Sequence, residues 1–507
     1  MQHKKQAYTM FHGVHLLRSA QMRAMEDAAM AAGAATGDML MARAGRAAAG
    51  HLRAQWPKAR PVTVLAGPGN NGGDGLVIAQ ALHRAGWAVR VMAADLREGA
   101  ALAAWRALGP VAPLDPRAID PAHLQVDALF GTGLSRPPAG PFAAIIDALR
   151  GCPDIMAVDA PSGLCMDSGR ILGPHAPRAA LTVAFDSPRP GHLLADGPAH
   201  VGRLVVADIG LHAWRDAAPG PATTAIWPRF GAGPMIEAAW LRKAAGGDHK
   251  YAHGAVLVVA GEVAGAARLA ARSALRVGAG LVTLAPSRAG MADHAGPPDA
   301  LMRRAVDDAD ALAHAIEGRI TALVLGPGAG VDRAAALLPA ALAARIPAVL
   351  DADALTALAR DGGRALHDGC ILTPHPGEFA RLAPDLAQRL RGAPDSGPAF
   401  SRLDAVRAAA ARLGAVVLLK GPDTVVAAPD GRAAVHSAFD LPWLATAGAG
   451  DALAGLIAGL AARGLSPFDA ACLGARLHAQ AARAFGPGMI ADDIPDTLPA
   501  VIAEWDG

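Results

Sequence analysis

Short runs of consecutive apolar residues recur along the chain, each ending in a glycine- or acid-rich turn and followed by a longer stretch with apolar positions at helical spacing. The segment Leu17–Leu52, rich in Ala, Met and Arg, predicts two helices that stop before Trp56-Pro57. Residues 61–66 then predict a strand that runs into Gly67-Pro-Gly-Asn-Asn-Gly-Gly-Asp-Gly75, with a helix over Leu76–Ala85. Further strands are predicted at Ala88–Ala93, Val126–Phe130, Ile155–Val158 and Leu181–Phe185. Runs without polar alternation suit strands buried on both faces, and their alternation with helices predicts a parallel sheet covered on both sides. A second set lies at Ala255–Ala260, Leu281–Ala285, Ala322–Leu325, Ala348–Leu350, Cys370–Thr373 and Val416–Lys420. Between the sets, Ala217–Pro228 carries Pro219, Pro221 and Pro228 and reads as a loop-like linker crossing little core, with the second half opening near Met235. The expectation is two α/β domains, 1–228 and 235–507, separable by a cut in the linker; no spacing aligns them as a repeat.

Composition narrows the picture. Of 507 residues, 52% are apolar and 18% charged, which is the make-up of packed domains and not of a disordered chain. A formal net charge of +2, thinly spread, gives no electrostatic case for nucleic acid. Aromatic residues are only 4%, so the cores must be built from Leu, Val, Ile and Ala. The four cysteines, Cys152, Cys165, Cys370 and Cys472, form no CxxC pair and read as reduced structural thiols. No stretch has the length of a membrane span or the apolar core of a signal peptide, so a cytoplasmic protein with no membrane partner is expected, its Lys-rich start (His3, Lys4, Lys5) reading as a frayed terminus.

The glycine loop meets a helix N-terminus, where backbone N–H groups and the helix dipole can hold phosphate. A tight turn needing positive φ would account for Gly72 and Gly73, but not for Asn70, Asn71 and Asp74 beside them. Two more strand ends agree. Asp127-Ala-Leu-Phe-Gly-Thr-Gly-Leu-Ser135 and Val158-Asp-Ala-Pro-Ser-Gly163 place Asp127, Asp159 and Ser162 where open α/β sheets bind ligands. Each acid alone could cap a helix. Asn71, Asp127 and Ser162 offer hard oxygens without a dense carboxylate cluster, which suits an alkali ion better than Zn or Ca.

The second half has its own motifs: His249-Lys-Tyr-Ala-His-Gly254, Gly326-Pro-Gly-Ala-Gly330, Asp351-Ala-Asp-Ala-Leu355, Thr373-Pro-His-Pro-Gly-Glu378, Lys420-Gly-Pro-Asp-Thr424 and Thr446-Ala-Gly-Ala-Gly-Asp-Ala452. In the last, a Gly-Ala-Gly turn opening a helix supplies donors for phosphate, and Asp451 is placed to take a proton from an attacking hydroxyl. Its plainer role is a first-turn acid stabilised by the helix dipole. His375 and Glu378, between prolines, could be a site or merely a rigid turn.

The three N-terminal motifs, in this order, resemble those of the NAD(P)HX epimerases over roughly residues 16–226, and the second half resembles the ribokinase-like ADP-dependent NAD(P)HX dehydratases over roughly 235–503. The resemblance implies a Rossmann-like three-layer domain followed by a ribokinase-like α/β domain. For the epimerase it implies substrate contacts from Asn70, Asn71, Gly72, Gly73, Asp74, Gly131, Thr132, Gly133, Leu134, Ser135, Arg136, Pro137 and Asp159, and K⁺ on Asn71, Asp127 and Ser162. For the dehydratase it implies substrate contacts from Ala255, Gly328, His375 and Asp451, nucleotide contacts from Lys420, Gly421, Pro422, Asp423, Thr424 and Gly450, Mg²⁺, and ADP as co-substrate. The family turn often reads Gly-Thr-Gly-Asp; here Ala449 stands for Thr, removing a hydroxyl from a turn that binds chiefly through backbone N–H. Repair of the hydrated cofactors NADHX and NADPHX is therefore expected, with Asp451 as base and Asp74 and Asp159 moving protons in the epimerisation, in a homo-oligomer. The alternative is a ribokinase-like small-molecule kinase fused to a nucleotide-binding regulatory domain.

Overall fold

The computed structural model describes residues 14–226, 243, 249–362 and 366–504. The Lys-rich start, Pro228 and Met235 lie outside the described residues.

Two sheets organise the chain. The first has seven strands in the order Val111–Pro113, Val89–Ala93, Val62–Ala66, Leu124–Ala128, Ile155–Val158, Leu181–Phe185 and Arg203–Ala207. All neighbours are parallel. The central strands Val62–Ala66, Leu124–Ala128 and Ile155–Val158 are buried at every position, the polar Thr63, Gln125 and Asp127 included, and separate clusters of Leu, Val, Ala and Trp cover the two faces. The helices Ser19–Ala31 and Gly37–Gln55 form as expected. The strand expected at Val126–Phe130 starts and ends two residues earlier, at Leu124–Ala128, which makes Asp127 its penultimate residue.

The chain leaves Val62–Ala66 toward one edge and returns beside it with Leu124–Ala128. The crevice between these two strand ends is thus a topological switch point, where the following loops diverge and leave room for a ligand. Their approach is tight: a Cβ on Gly67 would lie 1.9 Å from the Leu129 carbonyl oxygen.

The second sheet has eleven strands. Its parallel part runs Met302–Arg303, Leu281–Ala285, Ala255–Val259, Ala322–Leu325, Ala348–Leu350, Cys370–Leu372, Val416–Leu419. Here too the first strand, Ala255–Val259, sits between its successors, giving a second switch point, where a Cβ on Gly261 would lie 2.3 Å from the Ala329 carbonyl oxygen. An antiparallel hairpin, Asp423–Ala427 and Ala433–Ser437, extends the sheet.

Beyond the hairpin, the linker reading is corrected. Thr223–Ala225 is a strand paired in parallel with Ala433–Ser437, Val14–His15 pairs antiparallel to it, and Ile226 is fully buried in the second half's core. Residues from the first half thus close the edge of the second sheet, where backbone N–H and C=O groups would otherwise be unpaired. Further bonds tie the halves together: Arg18 to Asp404 at 2.5 Å, Ala195 N–H to Asp423 at 3.0 Å, and Gly397 N–H to the Ser135 carbonyl at 2.8 Å.

Candidate active sites

At the first switch point the loops after several strands and faces of the helices Ser19–Ala31 and Gly37–Gln55 enclose a cleft of about 1340 Å³. Asn70, Asn71, Asp74, the whole stretch Gly131–Pro137 and Asp159 line it together. Gly72 and Gly73 do not line it. They lie inside the helix Asn70–Arg84 without positive φ, and they are glycines because a side chain has no room: a Cβ would meet the Gly67 carbonyl oxygen at 1.9 Å and the Met41 side chain at 2.4 Å.

Asp159 adopts φ 64°, a left-handed conformation costly for a residue with a side chain. Its Oδ2 accepts the Thr132 N–H at 2.9 Å, its Oδ1 lies 3.8 Å from the buried Arg189 guanidinium, and its carbonyl accepts from His192 Nε2 at 3.0 Å. His192 in turn accepts the Arg189 N–H on Nδ1, which fixes its tautomer, and burial holds its pKa down at about 4, so the ring is neutral. Asp74 is buried beside these groups. Desolvation, then repulsion from Asp159 and Glu26, raises its pKa well above the carboxylate range.

Asp127 and Ser162 lie beneath the cleft. Asp127 accepts from the Ser162 hydroxyl at 2.6 Å, the Ser162 N–H at 2.8 Å and the Leu129 N–H at 3.3 Å, tying two strand-end turns together, and burial lifts its pKa to about 6. Neither Asp127 nor Asp159 caps a helix. Both side-chain atoms of Asn71, by contrast, are buried without a protein partner and are thus open to a bound group.

At the second switch point the helix Ala449–Ala462 opens on Gly448, at φ 88°, and carries Asp451 in its first turn. Lys420, at the end of Val416–Leu419, reaches Asp351 Oδ1 at 2.7 Å and stands 4.0 Å from Glu378. Gly450 lies against it: a Cβ there would be 3.2 Å from Lys420 Nζ and 3.9 Å from Asp351 Oδ2. Burial, with Asp351, Asp353 and Glu378 nearby and Lys420 opposing, brings Asp451 to about 6. His375 caps the helix Pro376–Leu382, its N–H held by Glu378 at 2.8 Å. The pair is therefore both a rigid turn and part of the charged cluster.

Ala255 opens its strand at the amino end, where its N–H is bound by the Thr321 hydroxyl, four residues from the carboxyl end at which open sheets commonly bind ligands. Gly328, at φ 61°, does stand at that end, packed on Val263 and Ala266 at the start of the helix Ala264–Arg276. The side chains of Asp423 and Thr424 are also committed elsewhere, Asp423 to Ala195 and Thr424 to the Gly421 carbonyl at 2.7 Å, leaving Lys420, Gly421, Pro422 and backbone groups to meet a nucleotide.

Family comparisons divide the chain in the same two parts: residues 37–191 match the family described as YjeF-related protein N-terminus, and residues 256–500 match NAD(P)H-hydrate dehydratase. The bifunctional NAD(P)H-hydrate repair enzyme of Coxiella burnetii is 37% identical over 92% of this chain and 94% of its own length. That of Moorella thermoacetica is 37% identical over 87% of each, and that of Escherichia coli 35% over 91% and 89%. The chain belongs to the bifunctional NAD(P)H-hydrate repair enzymes. An ADP/ATP-dependent NAD(P)H-hydrate dehydratase crystal structure from Bacillus subtilis covers 53% of this chain and 96% of its own, at 27% identity and TM-score 0.45.

In this repair enzyme the structure adds residues to both sites that sequence reading did not single out. Glu26, on the helix Ser19–Ala31, lines the first cleft with Asp74 and Asp159, and burial raises its pKa to about 7. Its signal was weak, since one Glu in an amphipathic helix reads as solvated. Arg189 and His192 were equally hidden in a loop without motif. At the second site Asp351 and Asp353 had been visible as a strand-end motif, but only the fold assigns them to Lys420 and to the Gly330 N–H, which Asp353 accepts at 2.8 Å.

Proposed function

We propose that the first cleft interconverts the R and S hydrates of NADH and NADPH, and that the second site dehydrates the S hydrate at the expense of ADP, releasing AMP and phosphate. The observation that carries the reading is the second site's arrangement: one carboxylate, Asp451, sits at a helix N-terminus beside a lysine that is itself fixed by Asp351. Asp451 takes the proton as the ring hydroxyl attacks the terminal phosphorus of ADP, and the bond to AMP breaks. Gly450 and the unpaired N–H groups of the first helical turn hold the phosphoryl oxygens, with Lys420 opposing their charge. Phosphate then leaves from carbon, the ring nitrogen supplying the electron pair, and the iminium so formed loses a proton from the neighbouring ring carbon to restore the dihydropyridine.

In the first cleft the reaction must break and remake the carbon–oxygen bond of the hydrate from opposite faces, which requires one group to give a proton and another to take one. Asp74, kept protonated by burial, is the donor, and Asp159, held by Thr132 and Arg189, the acceptor. A potassium ion would be held by the Asn71 oxygen and the Asp127–Ser162 pair, and would offset the diphosphate charge; the unpartnered Asn71 amide supports this. Among the described residues no group of three or more His, Cys, Asp or Glu is arranged to hold a metal. Mg²⁺ fits instead as a companion of the nucleotide phosphates, which needs only one or two protein carboxylates. A cytoplasmic location is proposed with this substrate, and no helix among the described residues is long and apolar enough to cross a membrane.

The test is to incubate a mixture of R and S hydrates with ADP and follow dihydropyridine absorbance. Complete recovery is expected from the full chain. A stable phosphorylated product would instead favour a small-molecule kinase.

A further inference from the structure

We propose that the second half of the chain braces the first half's active site: the loop around Gly397 positions the Leu134–Ser135 segment of the hydrate-binding stretch. The proposal rests on the functional reading of the first cleft. Three contacts carry it. Gly397 donates its N–H to the Ser135 carbonyl at 2.8 Å, and Ala399 donates to Cys165 Sγ at 3.4 Å. Ala399 is also buried with Cys165 and Leu172, and Leu134 packs on that small apolar cluster. Arg170 of the first half closes the far end by bonding the Gly392 carbonyl at 2.5 Å.

These contacts matter because of where Leu134 and Ser135 stand. Both line the cleft, and the stretch they belong to has little support of its own: within it, Leu134 N–H bonds the Gly131 carbonyl at 3.3 Å, and Thr132 is held by Asp159 and by the Ser19 hydroxyl. A loop fixed at Thr132 and free at Ser135 would hinge. The Gly397 loop supplies the second fixed point. The opposite wall is braced from the same side, since Arg18, immediately before the cleft-lining helix, pairs with Asp404.

Gly397 also offers a clean perturbation. Its backbone is not left-handed, so alanine is tolerated there conformationally, but a Cβ would lie 2.7 Å from the Leu134 carbonyl oxygen and 3.2 Å from Ser135 Cα. The substitution therefore acts on the hydrate-binding segment and on nothing in the dehydratase site. Displacing a substrate-positioning segment by a fraction of an ångström to an ångström is enough to cost on the order of tenfold or more.

The experiment uses the full chain carrying Gly397→Ala, assayed separately for epimerisation and for dehydration of pure S hydrate. The expected result is a rise of about tenfold in the epimerase KM with dehydratase kinetics unchanged, even where the clash lowers the melting temperature slightly. Asp395→Ala, exposed in the same loop, is the control and should alter neither activity. Ala399→Gly, which removes one methyl from the cluster and cannot prevent folding by overpacking, should raise amide exchange of residues 131–137 in the folded chain. Epimerase kinetics unchanged in Gly397→Ala, or both activities falling together with the melting temperature, would overturn the proposal. So would unaltered exchange in Ala399→Gly. If the wild-type chain does not epimerise at all, the reading of the cleft fails, while the exchange measurement still decides whether the second half holds residues 131–137.

Discussion

Asp451 has the pKa a general base needs at neutral pH: raised by burial to about 6, it is ionised in the cell yet basic enough to accept a proton. Asp451→Asn should lower single-turnover dehydration by about two to four decades without weakening nucleotide binding, and the wild-type kcat/KM should fall about tenfold per unit as pH drops below about 6, where the base is protonated. Glu26 makes a different case. Its folded pKa, about 7 against an ordinary 4.5, means that the fold binds a proton the unfolded chain has released. The associated stability is present below pH 4.5 and is lost as pH rises through 7. Glu26→Gln should therefore gain in melting temperature relative to wild type as pH is raised across that window, while epimerisation slows; an epimerase rate equal to wild type would make the residue a bystander. Asp127→Ala leaves three donors, two of them from Ser162, without their acceptor, at about 1–3 kcal/mol for a group left unsatisfied. Lower stability is expected together with lost epimerisation, and thermal melts in K⁺ against Na⁺ separate the two roles: a K⁺-specific gain present in wild type and absent in the variant marks the ion site.

Among the elements, the helix pair Ala264–Arg276 and Ala449–Ala462 shows why so much of the sequence is Ala and Gly. A Cβ on Gly455 would fall 1.9 Å from the Ala270 carbonyl oxygen, and one on Gly459 would meet Val277 at 2.5 Å. The second helix carries Asp451, the first borders Gly328, so this close backbone contact sets the distance between the two sides of the dehydratase site. Gly455→Ala raises intrinsic helix propensity by about 1 kcal/mol. It should nevertheless lower the melting temperature and the dehydration rate, because overpacking costs typically 1–3 kcal/mol and forces the helices apart; calorimetry and a dehydratase assay check both. The elements themselves were mostly legible, since an unbroken apolar run of four or five residues bounded by glycine admits few readings. The hairpin Asp423–Ala427 and Ala433–Ser437 was not found, although Pro429-Asp-Gly431 between its strands is a turn signal. Its alanines carry little β preference, and pairing with neighbours decided its state.

For the whole molecule, the halves prove less separable than their sequence suggests. A cut within residues 217–221 leaves Thr223–Ala225 with the second half but removes Val14–His15, Arg18 and Ala195 from their partners there. The two pieces should remain associated through purification, and dehydration should persist in the associated pair; pieces that part freely on a sizing column would show the shared edge to be dispensable. What the sequence determined by itself was local: buried strands, the glycine-rich turns that follow them, and the acids at their ends, because steric demands and apolar periodicity act over a few residues. What the tertiary structure decided was convergence. It placed Glu26 beside Asp74, Lys420 against Asp351, and Gly397 against Ser135, each pair separated by tens to hundreds of residues, because burial and charge pairing depend on which strand ends share a switch point and on which half covers the other's edge.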